Sequence, residues 1–425
     1  MISKKYEAMV SFGELQNLLA SLYFIFGNRI LQPILSFFFG PWTSKVSSHS
    51  LQSFNILANI KPYFEVHHRD ERSFLLKFGS LKDLSYLERE DVSLYSVSEK
   101  EFVFVRTKPG IDLYNTEQHP FLFEIQHTAA VELLTVPLDT VLEYLRSKPA
   151  RDGSNISFLY NTGRSGSTLL AAMMYKTKQF VVQSEPNPIL KLALIFNGKD
   201  YVISRNTTKY LNLVRATILL TCPDPNKRYF IKPAPCFIVS LFPLLKQALP
   251  GITELFNYRA IIPTLVSYKK LFGNYLTNVA NKGMLLLPFN YRNIWRKIKP
   301  ENDVGEKAFA IQILMTVHAF LLETRDRDDI KTFTYEALME KKVEFTERLL
   351  KEVGVGEEYV SDALSALDNH SQAKSDITNQ LLAISRSRSK KNTVSDGCVE
   401  WIRKIAYEEL GIEIDKDTGQ YSKLE

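Results

Sequence analysis

The chain has 425 residues, enough for one large α/β domain together with an accessory region. Hydrophobic residues make up 45% and charged residues 24%, a globular composition that excludes an intrinsically disordered protein. The net charge of +6 suits an anionic ligand or an anionic membrane surface, and it is too small and dispersed to predict nucleic-acid binding.

The spacing of cysteines and histidines predicts neither a disulfide framework nor a metal centre. Cys222, Cys236 and Cys398 are odd in number and form no C-x-x-C pair, so we expect buried thiols. The histidines contain no H-x-x-x-H pattern, and adjacent His67 and His68 would point in different directions on a helix or a strand. We therefore expect no metal ion.

Residues 1–50 form an apolar N-terminal segment. Residues 15–42 almost lack charge, but Gly27-Asn28-Arg29 and Pro33 divide them into two shorter pieces. A spanning helix needs about 20 apolar residues, and a central arginine costs about 2.5–3.5 kcal/mol. No cleavage site of a signal peptide follows. An imperfect membrane anchor, an interfacial helix pair and helices packed on the domain stay open, with membrane contact as one expectation.

Residues 51–150 are predicted to form an accessory, β-rich α+β region. Its predicted elements are a strand at 101–106, a turn at 108–110, a strand at 121–125 and a helix at 137–146. The polar residues 151–154 then indicate a boundary.

Residues 151–425 are predicted to form a P-loop-type α/β domain, with a parallel sheet flanked by helices. A short apolar run at 156–160 precedes a glycine loop and a helical run at 168–176. Further short runs, separated mostly by long helical stretches, lie at 180–182, 229–231, 252–258 and 331–334. Strands that alternate with helices indicate a parallel sheet covered on both faces.

The glycine loop, residues 161–168, lies between a buried strand and a helix. Backbone N–H groups and the helix dipole converge there and favour an anion such as a phosphate. Gly163 and Gly166 allow close approach of the backbone, and Arg164 adds a positive charge. The loop differs from a Walker A motif because Ser167 stands where that motif has lysine. A strand-to-helix turn without a ligand is the alternative interpretation.

This loop resembles the phosphosulfate-binding loop of sulfotransferases, in which a Lys or Arg precedes S-G-[ST]-T. The six residues that carry the resemblance are Gly163, Arg164, Ser165, Gly166, Ser167 and Thr168. The resemblance implies that they hold the 5′-phosphosulfate of 3′-phosphoadenosine 5′-phosphosulfate, the donor of this family. It implies no metal requirement.

Two further segments are similar to the same family. Arg259 and Ser267 lie eight residues apart, as do the family's Arg and Ser that contact the 3′-phosphate. The family usually has R-[DN]-P or similar after the arginine, and this chain has Arg-Ala-Ile-Ile-Pro, so the match is partial. Tyr335 lies in a segment that resembles the family's Y-E-x-L strand end, where the tyrosine is near the adenine.

Two positions resemble the tyrosylprotein branch, and the site pattern as a whole is closest to the tyrosylprotein and carbohydrate branch. Glu185 lies 21 residues after Arg164, where that branch has a carboxylate base. Lys232 falls where the branch has a lysine at a strand end facing the donor. The resemblance, which covers residues 156–354, implies catalytic roles for Arg164, Glu185 and Lys232. His318 and His370 are weaker candidates for the base.

The sequence therefore predicts a sulfotransferase that moves a sulfuryl group to the hydroxyl of an unidentified acceptor. The alternatives are an atypical P-loop kinase of a small molecule, which would need magnesium, and a catalytically silent nucleotide-binding scaffold. The basic residues 385–392 either close over the 3′-phosphate or form a solvated loop. The compartment stays open between a membrane-associated Golgi site and the cytoplasm. Sequons at Asn155, Asn206 and Asn369 suit a lumenal site but also occur by chance.

Overall fold

The computed structural model describes residues 50–59, 73–196, 207–235, 240–273, 276, 292–298, 303–325, 327–368 and 393–422. Several positions discussed above lie outside these residues: 15–42, His67, His68, Cys236, His370, 385–392, Asn206 and Asn369. The described chain divides into two compact units. The first, the antiparallel unit, extends to Leu113 and resumes at Phe123–Pro149, and the second, the parallel unit, combines Tyr114–Leu122 with the chain from Ala150 onward.

The antiparallel unit contains a five-stranded sheet in the order β2-β1-β5-β4-β3. Its strands are β1 (Ser50–Asn59), β2 (Phe74–Asp83), β3 (Val92–Val97), β4 (Glu101–Thr107) and β5 (Ala130–Pro137). Two helices, α1 (Leu122–Ala129) and α2 (Leu138–Arg146), flank β5 in the chain. Phe74, Tyr95 and Leu133 are fully buried in its core. The predicted strand at 101–106 and helix at 137–146 are confirmed.

The strand predicted at 121–125 is wrong, because Leu122–Ala129 forms the helix α1. In a short apolar run, periodicity alone cannot show whether the residues form a strand or a buried helix. The buried positions Phe123, Gln126 and His127 follow helical spacing. The Gln126 Nε2 donates to the Ser93 hydroxyl and to the Leu94 carbonyl, both at 2.9 Å, so the amide nitrogen of this polar side chain is satisfied inside the unit.

The parallel unit contains a second five-stranded sheet, in the order β10-β9-β6-β8-β7, and all its described pairings are parallel. The strands are β6 (Ile156–Asn161), β7 (Val181–Ser184), β8 (Tyr229–Lys232), β9 (Thr253–Tyr258) and β10 (Lys331–Thr334). All five coincide with the short runs that the sequence predicts as strands. The structure confirms the α/β fold expected from the sequence. It has a parallel sheet flanked by helices and an antiparallel β region near the N-terminus.

Helices connect and flank these strands. They are α3 (Ser167–Lys176), α4 (Asn187–Phe196), α5 (Thr207–Thr221), α6 (Phe242–Ala248), α7 (Ile261–Phe272), α8 (Arg292–Trp295), α9 (Val304–Glu323), α10 (Tyr335–Glu340), α11 (Lys342–Glu352), α12 (Val360–Leu364) and α13 (Asp396–Leu410). Every residue of β6 is buried, as expected for a central parallel strand with both faces covered. Cys222 and Cys398 are the buried free thiols that the spacing predicts.

Within the described ranges, α9 is long and apolar enough to cross a membrane by length and composition. Its most apolar window is 72% buried inside the protein, and a helix in a protein core passes the same test. Its buried Glu306 makes a 2.6 Å ion pair with Lys269 of α7, which satisfies that charge within the unit.

The strand order creates one edge where the chain leaves neighbouring strands in opposite directions. From β6 the chain passes to β7, on the β8 side of the sheet, whereas from β9 it passes to β10 on the other side. The carboxyl ends of β6 and β9 are adjacent, with Asn161 opposite Asn257. In open parallel sheets a crevice for ligands forms at such a point. The glycine loop begins there, directly after β6.

Candidate functional site

Asn161, the last residue of β6, shapes the start of the glycine loop. Its side chain is fully buried. Its Oδ1 accepts from the Gly163 N–H at 3.1 Å and from the Ser167 hydroxyl at 3.2 Å, and its Nδ2 donates to the Pro233 carbonyl at 3.1 Å. One side chain thereby joins both ends of the loop to the chain after β8.

Asn257 on the neighbouring strand β9 holds the middle of the loop. Its Nδ2 donates to the carbonyl of Ser165 at 2.8 Å and to the Ser165 hydroxyl at 3.1 Å. Its carbonyl accepts from the N–H of Thr162 at 3.2 Å. From the sequence alone, Asn161 has a place in the loop but no role, and Asn257 is not singled out. The available signal was a polar side chain inside an apolar strand run, which has to find partners when it is buried.

The backbone of the loop adopts left-handed conformations that suit an anion-binding nest. The φ angles are +73° at Gly163, +51° at Arg164 and +83° at Gly166. A Cβ added at Gly166 would lie 2.7 Å from the Tyr335 ring, and one added at Gly163 would overlap the Tyr268 hydroxyl. Glycine is therefore required at both positions. Gly166 is the N-cap of α3, so no side chain at that position competes with an anion for the first-turn N–H groups.

Arg164 connects the glycine loop to helix α7. Its Nε donates to the Ser267 hydroxyl at 2.9 Å. Burial lowers the pKa of the Arg164 guanidinium, while the nearby charges of Tyr268 and Glu185 act in the opposite direction. Arg259 lowers that pKa further, because a second positive charge lies close by. The structure thus brings Arg164 into contact with Ser267, although the sequence assigned these two residues to opposite ends of one nucleotide.

Arg259 and Tyr335 follow neighbouring parallel strands. Tyr258 of β9 lies opposite Thr334 of β10, so the next residue of each strand emerges at the same edge of the sheet. The Arg259 guanidinium carbon lies 4.3 Å from the centroid of the Tyr335 ring, a cation–π contact. Its Nε lies 3.7 Å from a carboxylate oxygen of Glu336. The tyrosine and the arginine therefore form one surface beside Gly166.

Glu185 and Lys232 form a buried ion pair at the carboxyl ends of β7 and β8. The Lys232 ammonium donates to Glu185 Oε1, and the two side chains are 2% and 10% exposed. Ser184 pairs with Lys232 across the two strands, and the Glu185 N–H donates to the Lys232 carbonyl at 2.6 Å. Glu185 has a φ of +54°, a strained conformation for a non-glycine residue that is common at functional sites.

The segment Tyr114–Leu122 belongs to the parallel unit and reaches this ion pair. The Lys232 Nζ lies 5.6 Å from the ring centroid of Phe121. Farther back, Glu117 forms a 2.5 Å ion pair with Lys176 at the end of α3. No sequence pattern indicates that this segment, between β4 and β5 in the chain, adds an aromatic side chain to the region of Glu185 and Lys232.

The predicted site residues therefore converge at the carboxyl edge of the parallel sheet. His318, the weaker base candidate, lies in the second half of α9, and burial lowers its pKa. Among the residues that the structure describes, no group of three or more His, Cys, Asp or Glu side chains is placed to hold a metal ion. This edge of the sheet therefore holds positively charged side chains, a loop suited to anions and the buried carboxylate of Glu185.

No protein-family model matches the chain, and no curated protein matches its sequence. Solved structures similar to it include a sulfotransferase domain from the curacin biosynthetic pathway, with 11% identity over 61% of this chain and 99% of that chain at a TM-score of 0.35. The sulfotransferase domain of the Synechococcus PCC 7002 olefin synthase has 14% identity over 62% of this chain and 98% of that chain, with a TM-score of 0.32.

A third similar structure is retinol dehydratase in complex with androsterone and the inactive cofactor PAP. It has 12% identity over 65% of this chain and 87% of that chain, with a TM-score of 0.34. Identities and TM-scores this low do not transfer an activity, so the chemistry of this site follows from its own residues.

Proposed function

We propose that this protein is a sulfotransferase that moves a sulfuryl group from 3′-phosphoadenosine 5′-phosphosulfate to an acceptor hydroxyl. The observation that supports the proposal best is that two guanidinium groups border one anion-binding loop: Arg164 lies in the loop, and Arg259 lies over the ring of Tyr335, which is beside Gly166. Positive side chains around such a loop favour an anionic ligand. This donor carries two separate anionic groups, the 5′-phosphosulfate and the 3′-phosphate.

Each part of the donor has a matching feature in the described residues. The N–H groups of the loop and of the first turn of α3 suit the 5′-phosphosulfate. Arg259 and Ser267 suit the 3′-phosphate, since a guanidinium offers a planar fork of donors and a hydroxyl adds one more. Tyr335, next to Gly166 and beneath Arg259, offers an aromatic face for the adenine.

The residues near Glu185 fit the acceptor side of the reaction. In the transfer, the acceptor oxygen forms a bond to sulfur while the bond from sulfur to the bridging oxygen of the donor breaks. The carboxylate of Glu185 accepts the proton of the acceptor hydroxyl, and the negative charge moves onto the bisphosphate product. Arg164 and the loop N–H groups stabilise the charge that develops on the bridging oxygen. The transfer needs positioning and charge stabilisation more than covalent chemistry.

Lys232 orients the proposed base and neutralises part of its charge through their ion pair. A carboxylate and a lysine at these positions are the pattern that resembles the tyrosylprotein branch. Phenolic and sugar hydroxyls are accordingly the first acceptors to test. Phe121, beside Lys232, gives this region an apolar wall that suits the ring of such an acceptor.

Thermal stability separates this proposal from the kinase alternative. We expect adenosine 3′,5′-bisphosphate to raise the melting temperature of the full chain in the presence of EDTA, because binding to the folded state alone stabilises it. ATP with magnesium is expected to raise it less, since ATP has no 3′-phosphate for Arg259 to contact. Arg259→Ala should remove most of the shift that the bisphosphate causes.

A larger shift with magnesium and ATP than with the bisphosphate would favour the kinase instead. Arg348→Ala is a matched control for Arg259→Ala, because Arg348 also lies over an aromatic ring in the same unit, 5.0 Å from the Phe333 centroid. That variant is expected to keep the full shift. A catalytically silent scaffold would bind the bisphosphate and transfer no sulfate from the donor.

A further inference from the structure

The ion pair between Arg259 and Glu336 lacks a hydrogen bond. The two groups approach only to 3.7 Å, between Arg259 Nε and Glu336 Oε1. Charge-assisted hydrogen bonds between nitrogen and oxygen are about 2.7–2.9 Å long. Within the described chain, Arg259 Nε and Glu336 Oε2 are both buried atoms with no hydrogen-bond partner. The carboxylate thus attracts the guanidinium without satisfying it, and the arginine keeps a donor for another acceptor.

Glu336 is held in this position by the backbone rather than by its own side-chain contacts. The Thr334 hydroxyl accepts from the Ala337 N–H at 3.0 Å and caps α10, which fixes Tyr335 and Glu336 in the first turn of that helix. Because Thr334 lies opposite Tyr258, this first turn emerges beside Arg259. The fold therefore places one negative charge at the arginine that suits the 3′-phosphate.

The negative charge of Glu336 affects how strongly an anionic ligand is attracted to Arg259. Arg259 lies over the Tyr335 ring beside the glycine loop, and Glu336 offsets part of its positive charge. A 3′-phosphate that contacts Arg259 would bring a second anion close to Glu336, whose side chain is 30% exposed and only partly screened by water. Two negative charges close together repel each other, so the Glu336 carboxylate reduces the net attraction between this part of the site and the phosphate.

We propose that Glu336 is the internal counter-ion of Arg259 and that it competes with the 3′-phosphate of the nucleotide for that guanidinium. The inference rests on the proposed function, since it takes a 3′-phosphorylated nucleotide as the ligand. Glu336 thus acts on the nucleotide through Arg259. Because Glu336 competes for Arg259, the bisphosphate product binds less tightly and dissociates more readily after the transfer.

The test compares two nucleotides on three proteins by calorimetry. In the full chain, Glu336→Gln should raise the affinity for adenosine 3′,5′-bisphosphate about three- to tenfold, because it removes one partly screened repulsion. The affinity for adenosine 5′-monophosphate should stay unchanged. Glu340→Gln is the matched control, because Glu340 is an exposed carboxylate one turn farther along α10. It removes the same charge and is expected to change neither affinity.

Other outcomes would overturn the inference. An unchanged or lower bisphosphate affinity in Glu336→Gln would mean that the carboxylate holds Arg259 in place instead of competing for it. Equal gains for both nucleotides, or an equal gain in Glu340→Gln, would indicate a general effect of net charge. If the wild type binds the two nucleotides with equal affinity, both the proposed donor and this inference are contradicted. The other outcomes contradict the inference about Glu336 alone.

Discussion

Replacing Glu185 with glutamine is expected to lower the rate of sulfuryl transfer about 10²- to 10⁴-fold, the usual contribution of a general base. The amide keeps the size of the side chain and an oxygen that can accept from Lys232, but it cannot take the proton of the acceptor hydroxyl. The affinity for adenosine 3′,5′-bisphosphate should stay close to that of the wild type. Single-turnover transfer from a radiolabelled donor to 2-naphthol, a simple phenolic acceptor, measures the rate.

The same substitution leaves the buried Lys232 ammonium without its anionic partner, so stability has to be measured alongside the rate. Removing one partner of a buried pair costs about 3–5 kcal/mol, and the remaining amide oxygen reduces that cost. Glu117→Gln is a suitable control, because it breaks the ion pair with Lys176 in the same unit at more exposed side chains. If Glu185→Gln transfers sulfate at the wild-type rate and only its unfolding free energy falls, Glu185 has a structural role.

Replacing Gly163 with alanine is expected to lower the affinity for the bisphosphate on the order of tenfold to a hundredfold. The φ of +73° is unfavourable for alanine, and the added Cβ would overlap the Tyr268 hydroxyl and lie 3.0 Å from the Pro235 side chain. The loop would have to move, and its N–H groups would no longer converge on the anion. Calorimetry with the purified full chain measures the loss.

A second substitution distinguishes the steric overlap from the cost of the backbone angle. Tyr268→Phe removes the hydroxyl that the new Cβ would meet, so the double variant should regain much of the affinity. Gly110→Ala is the control for the angle alone, since Gly110 has a φ of +79° and an added Cβ there meets no atom within 4 Å. It should leave nucleotide affinity unchanged. A double variant that binds no better than Gly163→Ala would contradict this explanation of the loop.

Most of the parallel sheet could be predicted from the sequence because short strand-like runs alternate with long helical stretches. The strand β10, for example, has the predicted bounds Lys331–Thr334. The glycine loop could be predicted for a similar reason, since its residues are consecutive and their order carries the chemistry. The helix α1, which replaces the strand expected at 121–125, was not predicted, because a short apolar run has no periodicity that distinguishes a strand from a helix.

The pairings inside the site could not be predicted in the same way. The contact between Arg259 and Glu336 depends on the register between β9 and β10, and that between Glu185 and Lys232 on the register between β7 and β8. Asn257 reaches Ser165 across 92 residues of chain for the same reason. A single sequence contains no information on register between distant strands, so the individual residues could be proposed but not their partners.

We expect this site to select a nucleotide that carries a 3′-phosphate. Calorimetry of the wild-type protein with adenosine 3′,5′-bisphosphate and with adenosine 5′-monophosphate tests it most directly. A charge-assisted contact contributes about 1.5–3 kcal/mol, so the bisphosphate should bind about ten- to a hundredfold more tightly. Equal affinities for the two nucleotides would contradict the account.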